Sequence, residues 1–301
     1  MILGLAIIAT LTDWAVSRRY WDSNEFKYAA WNDIIKGGMD NDIIIMGSSR
    51  AWVHFSPAIL DSILGTKTYN LGIDGSCIER QIPRYNLYKL YSNKPKVILQ
   101  NVDWGSTLEY EEKNYYLIEQ YYPYFYDKGM RNIVLPEEGF SFLDMHIPLL
   151  RYLKHWSLLD AWKDANARDN IVIRGYRGME RDWNGDALRK IDSIHFRYHD
   201  ESKDLFCNYL KQCKDDSVKV IFVYAPFYIE GINKISNIQD FYNVFDSIAK
   251  QYDCTILNYL NSPICNDTNY FYNASHLNKA GSEIFSTILA HDLDSLHLFE
   301  K

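Results

Sequence analysis

The chain has no concentrated block of basic residues. Its 32 lysines and arginines are outnumbered by 39 acidic residues, which leaves a formal net charge of −7 at pH 7 over 301 residues. A protein that binds nucleic acid needs a concentrated basic face to neutralise phosphates. We therefore expect no nucleic-acid partner.

Cysteine is scarce and shows no pattern. The chain has five, Cys77, Cys207, Cys213, Cys254 and Cys265, with no Cys-x-x-Cys pair, and the only histidines at metal-ligand spacing are the isolated pair His195 and His199. Structural zinc sites and disulfide frameworks both leave recognisable spacings. We therefore expect no disulfide framework, no metal and no cofactor.

A long hydrophobic run is also missing. The segment from Ile2 to Leu11 is apolar apart from Gly4 and Thr10, but Asp13 interrupts it, whereas a membrane span needs about 20 apolar residues. Three alternatives remain: the tail of a membrane anchor, an export signal with an unusual start, or an amphipathic helix packed on the domain. We favour an anchor or export segment over residues 1–20, which would place the protein in the cell envelope; the alternative is the cytoplasm.

Short apolar runs alternate with helical patterns along the rest of the chain. Strands are predicted over 42–46, 67–71, 96–102, 219–225 and 255–259, and helices over 56–65, 77–91, around 205–210, over 235–249 and over 278–290. This alternation predicts a three-layer α/β/α fold with a flavodoxin-like parallel sheet of about five strands.

The stretch 104–200 breaks that alternation, so we interpret residues 21–301 as one domain with a helical insertion there. Seven tyrosines lie between Tyr110 and Tyr126. They suit either the wall of a ligand groove or the insertion's own core. We favour the core.

Two segments carry the functional signal. The apolar run Ile43–Met46 leads into the turn Gly47-Ser48-Ser49, which is how an α/β sheet presents a nucleophile at the end of a strand. Near the other end of the chain, His276 precedes the last predicted helix. Serine needs a base within hydrogen-bond reach and a group that orients that base. Here we expect Ser49, His276 and Asn273 to fill these positions.

These segments resemble conserved blocks of the SGNH (GDSL-like) hydrolase superfamily, in particular its envelope branch of polysaccharide O-acetylation and D-alanine transfer proteins. Gly47-Ser48-Ser49-Arg50 matches the Gly-Asp-Ser-Leu block, with Ser49 as nucleophile and Ser48 in the place of the aspartate. Asn273-Ala274-Ser275-His276 matches Asp-x-x-His, with asparagine in the place of the acid. In serine proteases that same change lowers kcat about 10⁴-fold, so the resemblance implies a slow enzyme or none.

The resemblance also implies an oxyanion hole and a substrate site. The hole would use the backbone of Ser49 and of Gly75, with Gly72 as the fallback, and Asn101 from the third block. The substrate would contact Arg50, Asp74, Asp103 and Trp104. Arg50 could bind an anionic sugar or instead pair with Asp74 at the sheet edge. Asp267, Asp74 and Asp103 are candidates for a substitute acid.

Two functions follow from this pattern. The first is a serine esterase or acyltransferase that acts on acyl esters, with acetyl as the expected acyl group, of an envelope glycan. The second is a catalytically impaired glycan-binding or assembly protein that keeps the fold. The sequence is compatible with both, because Asn273 retains a hydrogen-bond acceptor but lacks a charge.

Overall fold

The computed structural model describes residues 2–108, 118–155 and 172–299. The chain divides into two compact units. The first comprises Met1–Met39, Pro83–Ser92 and Glu112–Val172; the second comprises Asp40–Ile82, Asn93–Glu111 and Ile173–Lys301. Residues 104–111 and 173–200 of the predicted insertion thus belong to the second unit. The predicted boundaries themselves, a separate segment 1–20 and one domain over 21–301, stay predictions.

A five-stranded parallel sheet forms the centre of the second unit. Its strands are β1 (Ile43–Met46), β2 (Thr68–Asn70), β3 (Val97–Asn101), β4 (Lys219–Tyr224) and β5 (Thr255–Asn258). They are arranged in the order β2-β1-β3-β4-β5, which is the flavodoxin-like order. The five predicted strands are confirmed.

The α-helices of the described residues are α1 (Ile2–Tyr20), α2 (Phe26–Lys36), α3 (Ser49–His54), α4 (Pro57–Leu64), α5 (Ile78–Tyr91), α6 (Phe142–His146), α7 (Leu150–His155), α8 (Asp186–Lys190), α9 (Asp200–Asp215), α10 (Ile229–Ile232), α11 (Ile238–Tyr252) and α12 (Lys279–Ser295). The chain also forms 3₁₀ turns at Ile118–Tyr124, Pro263–Asn266 and Thr268–Tyr270, and a π-helical turn at Met130–Val134. Two short strands, Phe271–Asn273 and His276–Leu277, pair antiparallel.

Helices cover both faces of the sheet. Side chains alternate between the two faces along each strand, and each face presents apolar side chains that pack on helices. On one face, Ile43, Ile45 and Val223 belong to a buried cluster shared with apolar residues of α3, α4 and α12. On the other face, Phe222 packs against Phe206 of α9 and Phe245 of α11, with ring centroids 5.6 and 6.1 Å apart. The unit therefore has the predicted three layers, α/β/α.

One predicted helix is displaced along the chain. The prediction placed it over 235–249, whereas α11 begins at Ile238. Asn237 accounts for the difference, since its side chain bonds both the N–H and the carbonyl of Phe196 immediately before the helix begins. Ile235 instead forms a β-bridge with Ile194. The last helix begins as predicted, with Asn278 as its N-cap, but continues to Ser295.

In the first unit, a buried ion pair fixes the second half of α1. The Asp13 carboxylate is fully buried and pairs with the equally buried Arg151. It also accepts hydrogen bonds from the Tyr126 hydroxyl at 3.0 Å and from the Leu149 amide at 2.5 Å. A buried charge is tolerated when it is paired and fully hydrogen-bonded. Asp13 therefore anchors α1 instead of interrupting it.

The first half of α1 is different, because its apolar side chains are exposed. Leu3, Leu5, Ile7, Ile8 and Leu11 are 52–75% exposed. Among the helices that the structure describes, none combines the length and apolar character that crossing a membrane requires.

The seven tyrosines between Tyr110 and Tyr126 are largely core residues where they are described. Tyr121, Tyr122 and Tyr124 are buried, and Tyr126 is exposed. Tyr110, Tyr115 and Tyr116 lie outside the described residues. For the described part, the structure agrees with the insertion-core interpretation.

Candidate active site

The turn after β1 places Ser49 at the start of α3, where the strand order reverses between β1 and β3. In open parallel sheets, ligands bind outside the carboxyl ends of the strands at such a reversal. Gly47 makes the turn possible, since its φ is +144° and a Cβ there would lie 2.7 Å from the Ala51 Cβ and 3.0 Å from the Asn101 Cβ. The chain thus enters α3 with Ser49 half-buried at its first residue.

Ser49 is hydrogen-bonded to His276. Its Oγ lies 2.8 Å from the Nε2 atom of His276, although the two residues are 227 positions apart in the sequence. On the other side of the imidazole, Nδ1 lies 3.0 Å from Oδ1 of Asn273 and 2.9 Å from Oγ of Ser275. The structure therefore brings the three predicted residues into a continuous Ser–His–Asn chain of hydrogen bonds.

The orientation of the Asn273 amide is fixed by its surroundings. Its Oδ1 accepts hydrogen bonds from the backbone amides of Ser275 and His276, both at 3.0 Å, and from the Ser275 hydroxyl at 3.1 Å. Only the amide oxygen can accept such bonds, so it is the oxygen that faces the imidazole. Nδ1 then carries the proton, which leaves Nε2 free to accept from the Ser49 hydroxyl.

The electrostatic surroundings keep His276 neutral. Burial, and then the positive charge of Arg50, lower its pKa to about 4, although Asp103 acts in the opposite direction. A general base must be unprotonated to accept a proton. At neutral pH His276 meets that condition, but forming its imidazolium is unfavourable.

Asp103, which follows β3, is the acceptor of a dense hydrogen-bond network. Its carboxylate receives the Ser48 hydroxyl at 3.0 Å, the Asn101 amide at 3.2 Å, the Gly105 N–H at 3.2 Å and the Ser106 hydroxyl at 2.6 Å. Ser48, in the position of the family's aspartate, therefore contacts an aspartate from the next strand end. The Asn101 side chain, which we expected in the oxyanion hole, is directed at Asp103.

Arg50 is buried, with 4% of its surface exposed. Its Nη2 donates to the carbonyls of Ala225 at 2.6 Å and Pro226 at 3.3 Å, and its guanidinium lies 5.4 and 5.3 Å from the rings of Trp104 and Phe227. The alternative in which Arg50 pairs with Asp74 at the sheet edge is therefore wrong. Arg50 does close the sheet edge, but through the carbonyl groups that follow β4.

The two candidate oxyanion glycines have different surroundings. A Cβ on Gly72 would lie 2.5 Å from the backbone nitrogen of Trp52, and the Gly72 N–H donates to Oδ1 of Asn70 at 2.9 Å. Gly72 therefore permits close packing of its loop against α3. Gly75 is exposed at the mouth of the pocket described next, with φ +60°.

A pocket of about 200 Å³ opens beside Ser49 and His276. Of the other predicted residues, Gly75, Arg50, Asp103 and Trp104 line it, whereas Asn273, Gly72, Asn101 and Asp74 are not in the lining. Asp267 instead caps a 3₁₀ turn. Within the described ranges, no cluster of three His, Cys, Asp or Glu side chains is arranged to hold a metal.

Sequence reasoning missed several contributors, because their residue types carry no chemical signature. Ser76, Ser106 and Phe227 line the pocket, and Ser275 contacts the base. Ser275 could have been recognised by its place beside His276. Phe227 could not, since it follows β4 far from any motif.

No protein-family model matches the sequence, and no curated protein matches it. Solved structures are similar at low identity. They include a GDSL-like lipase from Bacteroides thetaiotaomicron (TM-score 0.39, 11% identity, covering 84% of this chain and 88% of that chain). They also include a family two carbohydrate esterase from Clostridium thermocellum (TM-score 0.39, 8% identity, covering 87% of this chain and 66% of that chain). A third is an acetyl xylan esterase (TM-score 0.38, 11% identity, covering 84% of this chain and 98% of that chain).

Proposed function

We propose that this protein is an SGNH-type serine esterase in which Ser49 attacks an acyl ester and His276 is the general base. The observation that carries the proposal is the Ser49–His276 hydrogen bond of 2.8 Å, continued to Asn273 at 3.0 Å. This pair lies beside a pocket at the strand-order reversal, where α/β proteins bind ligands.

In the proposed reaction, Nε2 of His276 takes the hydroxyl proton of Ser49 while Oγ forms a bond to the acyl carbon. The oxyanion is stabilised by the backbone N–H groups of Ser49 and Gly75. When the acyl–oxygen bond breaks, His276 returns the proton to the leaving alcohol and an acyl-serine remains. Water then repeats the sequence with the same base and releases the acid.

Asn273 is suited to this mechanism better than its lack of charge indicates. In serine proteases, replacing the acid by asparagine is damaging because the imidazole adopts the wrong tautomer. Here the two backbone amides that donate to Oδ1 of Asn273 keep its oxygen toward Nδ1, so the productive tautomer is retained. What is missing is the charge that stabilises the imidazolium, which makes slow turnover the expected behaviour.

The pocket is suited to a small acyl group. Its volume is about 200 Å³, and its lining combines the packed rings of Trp104 and Phe227 with small polar residues such as Ser48 and Ser76. Acetyl is therefore the acyl group that we propose. An envelope glycan as the carrier, and transfer to another alcohol instead of water, are proposals that rest on the sequence blocks alone.

A second candidate function is a catalytically impaired glycan-binding or assembly protein. It is favoured by the neutral Asn273 and by the Asn101 amide, which donates a hydrogen bond to Asp103 and does not line the pocket. In that case the pocket would bind an acylated sugar without cleaving it.

We also propose that α1 contacts a membrane surface. The exposed part of α1 is apolar around its whole circumference, with exposed leucines and isoleucines from Leu3 to Leu11. Such a helix has no polar side to turn toward water. Arg18 and Arg19 in its last turn suit the headgroup region. A location in the cell envelope is part of the same proposal.

The esterase proposal is tested by p-nitrophenyl acetate hydrolysis and by labelling with a serine-directed fluorophosphonate. Wild type and a Ser62→Ala control, which changes an exposed serine on α4, should hydrolyse the ester and be labelled. Ser49→Ala should do neither. Labelling that persists in Ser49→Ala, or is absent from wild type, would contradict the assignment of the nucleophile. Binding of acetylated sugars without any turnover would favour the second function.

A further inference from the structure

His54 is a fully buried histidine that the catalytic proposal does not use. It is the last residue of α3, the same six-residue helix whose first residue is Ser49. Its Nε2 accepts a hydrogen bond of 3.0 Å from the backbone amide of Leu277, the residue after His276. Its ring also lies against the His276 ring, with centroids 6.1 Å apart and planes at 89°.

The hydrogen bond defines the state of this imidazole. Because Nε2 accepts from an N–H group, it carries no proton, and the single proton of the neutral ring is on Nδ1. Burial, and then the positive charge of Arg50, hold the pKa of His54 well below its usual value. His54 is therefore a permanent acceptor at neutral pH.

The Nδ1 atom of His54 is buried and has no hydrogen-bond partner among the described residues. A buried unpaired polar group costs about 1–3 kcal/mol, so an apolar residue would serve the core better if packing were the only requirement. What the polar side chain of His54 adds at this position is the hydrogen bond that it accepts from the Leu277 amide.

On this basis we propose that His54 is a positioning residue for the esterase reaction. It fastens the backbone beside His276 to the helix that carries Ser49, so that a single helix sets both ends of the Ser49–His276 hydrogen bond. This inference rests on the proposed function. Misplacing a catalytic group by about 1 Å can lower a rate about 10²-fold, which gives the scale of the expected effect.

The test compares two substitutions in the full-length chain. His54→Gln keeps an acceptor, because its amide oxygen reaches about as far as Nε2. His54→Leu keeps apolar bulk and has no acceptor. We expect His54→Leu to lower kcat for p-nitrophenyl acetate about 10–100-fold with KM within about twofold, and His54→Gln to stay within about fivefold of wild type. Active sites are counted by fluorophosphonate titration, so that kcat refers to folded protein.

Phe55→Leu is the matched control, since Phe55 is the next residue, is fully buried and packs on Phe285 with centroids 5.1 Å apart. It should lower the melting temperature and leave kcat per titrated site unchanged. If His54→Leu does not fold, His54→Asn takes its place, because its shorter amide cannot reach Leu277.

The outcomes separate the two proposals. Wild type that neither turns over ester nor is labelled contradicts the esterase proposal itself. If wild type is active and kcat per site is the same as wild type in both His54 variants, the positioning role alone is overturned. Equal losses in His54→Gln and His54→Leu would also overturn it, because the acceptor would then have no effect.

Discussion

Replacing Asn273 by aspartate should restore the charge that the Ser49–His276 pair lacks. Oδ1 of Asn273 lies 3.0 Å from Nδ1 of His276 and accepts two backbone amides, and an aspartate can accept the same bonds. A neighbouring anion raises the pKa of a basic group by about 1–3 units. The pKa of His276 should therefore rise from about 4 to roughly 5–7.

The same charge stabilises the imidazolium that forms in the transition state. Each pKa unit corresponds to about 1.4 kcal/mol, so the gain is roughly 1.4–4 kcal/mol, or about 10–10³-fold in rate. We expect less than the roughly 10⁴-fold effect of the reverse change in serine proteases, because Asn273 already selects the productive tautomer.

The assay is kcat/KM for p-nitrophenyl acetate between pH 4 and 9. Wild type should keep its activity down to about pH 4–5, since His276 is neutral above a pKa of about 4. Asn273→Asp should be faster at pH 8 and lose activity at a higher pH on the acid side. Asn266→Asp, an exposed asparagine nearby in the chain, should change neither property. An unchanged acid limb and an unchanged rate at pH 8 in Asn273→Asp would refute the reasoning.

Three further outcomes are expected. Gly72→Ala should destabilise the fold by about 1–3 kcal/mol, seen as a lower urea midpoint, because its Cβ would lie 2.5 Å from a backbone nitrogen of α3; an unchanged midpoint would contradict this. Since His276 binds its proton less readily in the folded chain than when unfolded, stability should fall by roughly 3 kcal/mol as pH drops from 6.5 to 4. In the same urea titrations, His276→Gln should lose less stability over this pH range than wild type does. An equal loss of stability would contradict the role of His276 in the pH dependence. Leu5→Asp combined with Ile8→Asp should reduce cosedimentation with liposomes about tenfold or more, while Ile173→Asp, an exposed position of the other unit, should not; equal binding by all would remove the membrane proposal.

The sheet could be predicted from sequence because a buried parallel strand must be apolar throughout. Ile43–Met46 is apolar and buried at each residue, and β3 and β4 contain the similar buried runs Val97–Leu99 and Val220–Tyr224. The displaced helix α11 could not be predicted, since its start depends on Asn237 bonding to Phe196, 41 residues earlier. Periodicity records which residues face the core and contains no information on such distant hydrogen bonds.

The same division applies to the candidate site. Ser49, His276 and Asn273 lie in short local patterns, so their proximity could be predicted. The partner of Arg50 could not, because carbonyl groups after β4 are invisible in a sequence and an aspartate such as Asp74 is a more obvious candidate. His54 was overlooked for a related reason: its acceptor role depends on a backbone amide 223 residues away.

The length of α3 has a consequence for sequence change in this region. The helix has six residues, with Ser49 first and His54 last, and each helical residue turns the chain by about 100°. Inserting or deleting one residue between them would rotate His54 by about that angle away from the Leu277 amide while Ser49 stayed in place. Relatives that share this arrangement should therefore tolerate substitutions within α3 far better than a change in its residue count.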